Sequence, residues 1–155
     1  LKYANDFLRK QGVPPLIFQG RLNLLDRAVL EEGIPAYCAA EGLGFISFSP
    51  MAQGLLTSRY LNGVPNDSRM LRHGSLTADK LTPGLLEYLN RLNDVALERG
   101  ESLASMSLAW VLAQKGVTSV LVGARTPEQL LQSLQCLHSP LQGLDEVPLF
   151  PHKVF

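Results

Sequence analysis

The sequence predicts an α/β fold built on a parallel sheet, and two observations carry that expectation. After an opening helix the chain alternates: apolar runs at Leu16 to Gln19, Phe45 to Phe48 and Thr118 to Val122 are each followed by helical sequence. The runs are continuously apolar instead of alternating with polar residues, the pattern of strands covered on both faces.

Each element carries its own punctuation. Ala4, Phe7 and Leu8 share one helical face, and Gly12 with Pro14-Pro15 ends that first helix. The first strand follows. Ile34 to Glu41 places Pro35 in a first helical turn and stops at Gly42, after which Gly44 releases the chain into the second strand. That strand ends in Ser49-Pro50, where the proline ring fixes its own φ and pushes Ser49 toward extended geometry, while Gly54 supplies a turn without a Cβ penalty. Tyr60 to Leu81 is rich in turn formers and lacks a sustained period, so it reads as a long loop. Pro83 to Arg99 is helical, with Leu85, Leu86, Leu89, Leu92 and Val95-Ala96 as its buried face. Ser102 caps a further helix to Lys115, striped by Leu103, Met106, Leu108, Trp110-Val111 and Leu112. The third strand leads to Thr126 as cap, Pro127 at the first helical position and Gln129 three residues after the cap, a capping-box pattern; this helix runs to about Leu137. Beyond it the prolines leave a tail with one helical turn at Leu144 to Val147.

Composition narrows the function classes. The 155 residues are 46% hydrophobic, as in an ordinary soluble domain, and 14 basic residues balance 14 acidic ones, so no whole-molecule field draws the chain to nucleic acid or anionic lipid. Cys38 and Cys136 lie far apart among apolar neighbours and read as free thiols. No apolar run approaches the roughly 20 residues of a membrane span, which points to a soluble, cytoplasmic protein. The chain opens at Leu1, already in mid-helix, and the expectation is a fragment of a longer protein.

Neither a G-x-x-x-x-G-K-[ST] phosphate loop nor a G-x-G-x-x-G fingerprint is present. What remains is anion binding by backbone amides at strand ends and at the helix start Thr126 to Gln129, with Arg125 beside it offering a planar, permanently charged fork. Together the two junctions suggest a phosphorylated cofactor, although Arg125 reads equally as a surface arginine beside a structural cap. Arg59, Arg69 and Arg72 are loop arginines, the kind that solvent usually holds. Gln19 either reads an amide-bearing ligand or satisfies loop backbone, and Phe48 either stacks on a flat ring or fills core. His73, His138 and His152 lack ligand-spaced partners, so no metal site is expected. No tyrosine has an evident lysine partner for acid catalysis, so no catalytic residue is assigned.

Four ordered anchors then carry a resemblance. They are Gln19 followed by Asn23-Leu24-Leu25-Asp26-Arg27, the run Phe48-Ser49-Pro50-Met51-Ala52-Gln53-Gly54-Leu55-Leu56-Thr57, the triplet Asp67-Ser68-Arg69, and Gly123-Ala124-Arg125 with Gln129-Leu130. Over about Leu1 to Leu137 the chain resembles the carboxy-terminal half of an aldo-keto reductase, the (β/α)8 TIM-barrel family that reduces aldehydes and ketones with NADPH. Within it, the branch with bacterial glyceraldehyde-3-phosphate and methylglyoxal reductases and potassium-channel β subunits is the most similar. The resemblance implies the C-terminal part of the barrel, about strands six to eight with their helices. It divides the chain into an NADP(H)-binding partial barrel at 1–137 and a divergent tail at 138–155.

By the same resemblance Gln19 would bind the nicotinamide carboxamide and Phe48 would stack beneath the nicotinamide ring. Ser49, Pro50, Met51 and Gln53 would line the pyrophosphate. Arg59 stands where the branch often has a lysine, Arg69 where it has an arginine near the adenosine phosphates, and Gly123, Arg125 and Gln129 would hold the adenosine and its 2′-phosphate. Gln132 and Ser133 depart from the family, which has a glutamate and an asparagine against adenine there. The family's general-acid tyrosine and its lysine, aspartate and histidine neighbours lie in the other half of the barrel. The implied function is therefore the cofactor-binding part of a carbonyl reductase, inactive alone, whose substrate is a small carbonyl compound. Its exposed strand edges favour self-association. The alternatives are a non-catalytic, NADP(H)-binding regulatory subunit and a degenerate gene remnant.

Overall fold

Glycine and proline punctuation sets the element order in the computed structural model, which describes residues 1–66, 68, 71 and 76–150. Helix α1 (Lys2–Lys10) precedes strand β1 (Ile17–Arg21), the short helix α2 (Ala28–Glu31) and helix α3 (Ile34–Ala40), which has Pro35 in its first turn. Strand β2 (Gly44–Phe48) then runs through the sheet. After the long loop come α4 (Pro83–Glu98), α5 (Leu103–Ala113), β3 (Ser119–Val120) and α6 (Pro127–Leu134). Thr82, Ser102 and Thr126 each accept a backbone amide hydrogen bond at the start of α4, α5 and α6.

Among the described residues the strands form one parallel sheet in the order β1-β2-β3. Parallel pairing was legible in the sequence, but the strand limits differ. β1 extends to Arg21 because β2 continues alongside it to Phe48, and β3 pairs only at Ser119 and Val120. Alternation puts Phe18, Gly20, Phe45, Ser47 and Val120 on one face and Gln19, Arg21, Ile46, Phe48 and Ser119 on the other.

The first face is the packed one. Phe45 is fully buried and its ring centroid lies 6.1 Å from that of Phe18; a Cβ at Gly20 would stand 3.0 Å from the Phe45 ring, so only glycine fits there without movement. On the second face Gln19 and Ser119 are exposed, and Ile17 is 57% exposed. The expectation of strands covered on both sides is therefore corrected: three short strands cannot curl round to cover their own second face.

Helix α5 is the centre of the core. Leu103, Met106, Leu108, Ala109, Trp110 and Val111 are buried around nearly its whole circumference, and the buried Ser107 hydroxyl donates to the Leu103 carbonyl at 2.7 Å. The buried face of α4 comprises Leu85, Tyr88, Leu89, Leu92 and Ala96, with Tyr88 taking a place expected of Leu86. Gly116 turns the chain after α5 at φ +91, where a Cβ would collide with the Pro35 carbonyl at 2.4 Å. In the long loop Tyr60 is buried and its hydroxyl pairs with the Ser68 hydroxyl at 3.0 Å. The tail folds back on the core. Leu144 and Val147 are buried, Arg27 donates to the Phe150 carbonyl at 3.1 Å, Tyr88 donates to the Pro148 carbonyl at 2.8 Å, and Arg99 reaches the carbonyls of Pro140 and Gln142. Leu144 to Val147 form turns instead of the expected helical turn.

Candidate functional site

The loop leaving β2 is wound in the left-handed region. Ser49, Ala52 and Gln53 have φ of 53°, 48° and 59°, and Gly54 follows at 99°. Proline at position 50 predicted an extended Ser49, which the structure corrects, while Gly54 takes the turn conformation expected of it and Ala52 and Gln53 join it there. A side chain in this region costs about 1–3 kcal/mol, so three such residues persist only where their surroundings over-determine them. Here they do. The Ser49 carbonyl accepts from the Ala52 amide at 2.9 Å and from the buried Asn23 Nδ2 at 2.9 Å. The Met51 carbonyl accepts from the Gly54 amide at 2.8 Å, and Thr57 Oγ1 donates to the Gly54 carbonyl at 2.7 Å. Buried Pro50, Leu55 and Leu56 anchor the loop to the core.

The second junction runs from β3 through the exposed residues 121–125 to the capped start of α6. Thr126 Oγ1 accepts from the Gln129 amide at 3.3 Å, while Gln129 Oε1 accepts from the Arg125 amide at 2.9 Å. The return bond of a capping box is thus shifted one residue upstream, and it ties the backbone of Arg125 to the helix it precedes. Glu128 is held below the usual carboxylate range by its own backbone amide and then by the Thr126 hydroxyl.

Between the junctions lies an open cleft of about 1290 Å³, whose lining includes Ser49, Pro50, Met51, Gln53, Arg59, Gly123, Arg125 and Gln129. Gln132 and Ser133 line it as well. Among the described residues its charged lining is Arg59, Arg99 and Arg125 with Glu101, and Glu101 pairs with Arg99 at 2.7 Å. Among the described lining residues the basic side chains outnumber the acidic ones. Amides, hydroxyls and guanidinium forks along one open cleft fit an elongated anionic ligand. Gln19 and Phe48 stand apart from this lining, on the open face of the sheet, and Arg69 lies outside the described residues. Among the described residues no three His, Cys, Asp or Glu side chains gather into a metal-binding group.

Comparison with known proteins supplies the family. The model of the Aldo/keto reductase family matches residues 1–145. The chain belongs to that family. It is 46% identical to the L-glyceraldehyde 3-phosphate reductase of Escherichia coli K12 over 138 residues, which is 86% of this chain and 40% of the relative. It is 34% identical to a probable voltage-gated potassium channel β subunit of Oryza sativa subsp. japonica, over 92% of this chain and 42% of that one. In structure it is similar to a thermostable aldo-keto reductase crystallised with the inhibitor epalrestat, with a TM-score of 0.62 at 19% identity, covering 92% of this chain and 43% of the other. The chain thus spans about two fifths of the length of these relatives, and its parallel sheet and helices are part of a (β/α)8 barrel.

For an aldo-keto reductase sheet, the two junctions sit at the carboxyl ends of β2 and β3, the face on which such barrels build their sites. Two supporting side chains escaped the sequence reading. Asn23 bridges the loop after β1 to the loop after β2, and Ser47 Oγ donates to the Leu22 carbonyl at 3.0 Å. Asn23 belongs to a sequence anchor, but its partner is 26 residues away, and only the strand pairing brings the two together.

Proposed function

We propose that this chain is the cofactor-binding part of an NADP(H)-dependent aldo-keto reductase that converts aldehydes or ketones to alcohols. Members of the family use NAD(P)H. The observation that carries the proposal is the gathering of Ser49, Met51, Gln53, Arg59, Gly123, Arg125 and Gln129 around one cleft from two separate junctions. With its phosphates in the cleft and its nicotinamide toward Gln19 and Phe48, the reduced cofactor would supply hydride for a carbonyl carbon. The chain's own residues hold and orient. The Gln19 amide offers a paired donor and acceptor to the carboxamide, Phe48 offers a ring face, the left-handed loop lines the pyrophosphate, and Arg125, beside the start of α6, takes the 2′-phosphate. Arg69 is assigned with them, near the adenosine phosphates. The proton donor and its partners belong to the part of the barrel outside this sequence, so the chain alone lacks the chemistry. We assign residues 1–137 to the cofactor-binding partial barrel and 138–155 to a tail of its own sequence.

A second reading, a non-catalytic regulatory subunit that binds NADP(H), is favoured by the similarity to the rice channel subunit. Both readings place the protein in the cytoplasm, where the unpaired Cys38 and Cys136 would stay reduced. The test is to mix the purified chain with NADPH and a reactive aldehyde and to follow nicotinamide absorbance. The expected outcome is no turnover, since loss of general-acid catalysis alone removes about 100-fold to 10,000-fold in rate. Turnover at ordinary enzymatic rates would show that the chain carries its own proton donor.

A further inference from the structure

The open face of the sheet holds a cation that neither junction uses. Arg21 pairs with Phe48 in the β1–β2 register, two residues beyond Gln19 on the same face. Its guanidinium carbon lies 5.7 Å from the centroid of the Phe48 ring, within the range of a cation–π contact. Arg21 Nη1 is 3.6 Å from Asp26 Oδ2, with the arginine side chain 41% exposed and the aspartate 13%. Asp26 is steadied in turn, since its Oδ1 accepts from the Ala28 amide at 3.3 Å and its backbone pairs with Asn23. A planar, permanently charged group is therefore held against an aromatic ring at the carboxyl end of the strands, on the side that the helices leave uncovered.

A nicotinamide ring is neutral when reduced and carries a positive charge when oxidised. A fixed cation beside the ring's platform disfavours only the charged form. We propose that Arg21 sets the redox-state preference of this site, weakening the oxidised cofactor relative to the reduced one. The inference rests on the reading of Gln19 and Phe48 as the nicotinamide platform. A ring stacked on Phe48 would bring its charge to within about 10 Å of the guanidinium, comparable to the screening length of about 8 Å in a physiological salt solution, so salt would weaken the repulsion without removing it. Asp26 offsets part of the repulsion, so the effect is a modest ratio, about threefold to tenfold.

The experiment measures dissociation constants of NADPH and NADP⁺ for the purified chain and for Arg21→Gln, Arg21→Lys and Asp26→Asn. The oxidised-to-reduced ratio of dissociation constants should fall about threefold to tenfold in Arg21→Gln, hold in Arg21→Lys and rise in Asp26→Asn. A ratio unmoved in both Arg21→Gln and Asp26→Asn overturns the proposal while leaving the cofactor site standing. If Arg21→Gln does not fold, Asp26→Asn decides alone, and an unchanged or lower ratio there overturns it. A parent chain that binds neither cofactor overturns the platform itself, and the inference falls with it.

Discussion

At the residue scale, the loop that lines the candidate phosphate site depends on a buried amide from another strand. Asn23 donates to the Ser49 carbonyl and accepts from the Leu25 amide at 2.9 Å. Replacing Asn23 with alanine leaves both groups without that partner and frees the left-handed Ser49, at a cost of about 1–3 kcal/mol. Urea denaturation of parent and variant measures this; a midpoint that does not move would show that the loop holds its shape unaided. Thr126, Pro127 and Gln129 were legible because a helix cap is chemistry among neighbours, and the cap is present. The conformation of Ser49 was not, because the local rule for a residue before proline points to extended backbone, and tertiary hydrogen bonds overrule it. Arg21 was silent for a related reason: only the register sets it beside Phe48.

At the element scale, Tyr88 ties α4 to the tail. Burial pushes the Tyr88 phenol up to about 12, with smaller opposing contributions from Arg27, the Phe150 backbone and Arg91. Its hydroxyl donates to the Pro148 carbonyl, and its ring lies 4.8 Å from that of Phe150. The sign follows from the raised value: below about pH 10 both folded and unfolded chains keep the proton, whereas between about pH 10 and 12 only the unfolded chain gives it up. Stability should therefore fall across that window, by on the order of 2 kcal/mol from this group. Tyr88→Phe should flatten the fall, which pH-dependent denaturation of both proteins would reveal; parallel curves would mean that Tyr88 ionises as freely in the fold as out of it. The helices were the most legible elements, since a 3.6-residue apolar period and a capping residue are both local. The strands were less so. Continuous apolar runs indicated parallel pairing correctly, but whether the second face is covered depends on elements that a three-strand sheet does not contain.

At the scale of the whole molecule, the chain shows more surface than its mass warrants. A compact monomer of 17.0 kDa exposes roughly 7,700 Å², whereas this chain exposes 9174 Å². Part of the excess is apolar, with Tyr3 and Leu16 exposed to 83% and 76%. Self-association through these surfaces and the strand edges is the expected outcome. Light scattering at micromolar concentration checks it, and a monodisperse, cooperatively melting monomer would contradict it.

The most direct test of the cofactor assignment is a fluorescence titration of NADPH and NADH into the purified chain and into Arg125→Ala. Charge-assisted contacts are worth about 1.5–3 kcal/mol each, and Arg125 stands in the cleft lining with its backbone tied to Gln129. The account predicts saturable NADPH binding that weakens about tenfold or more in the variant while NADH binding scarcely changes. Equal losses for the two cofactors, or no saturable NADPH binding by the parent chain, would contradict it.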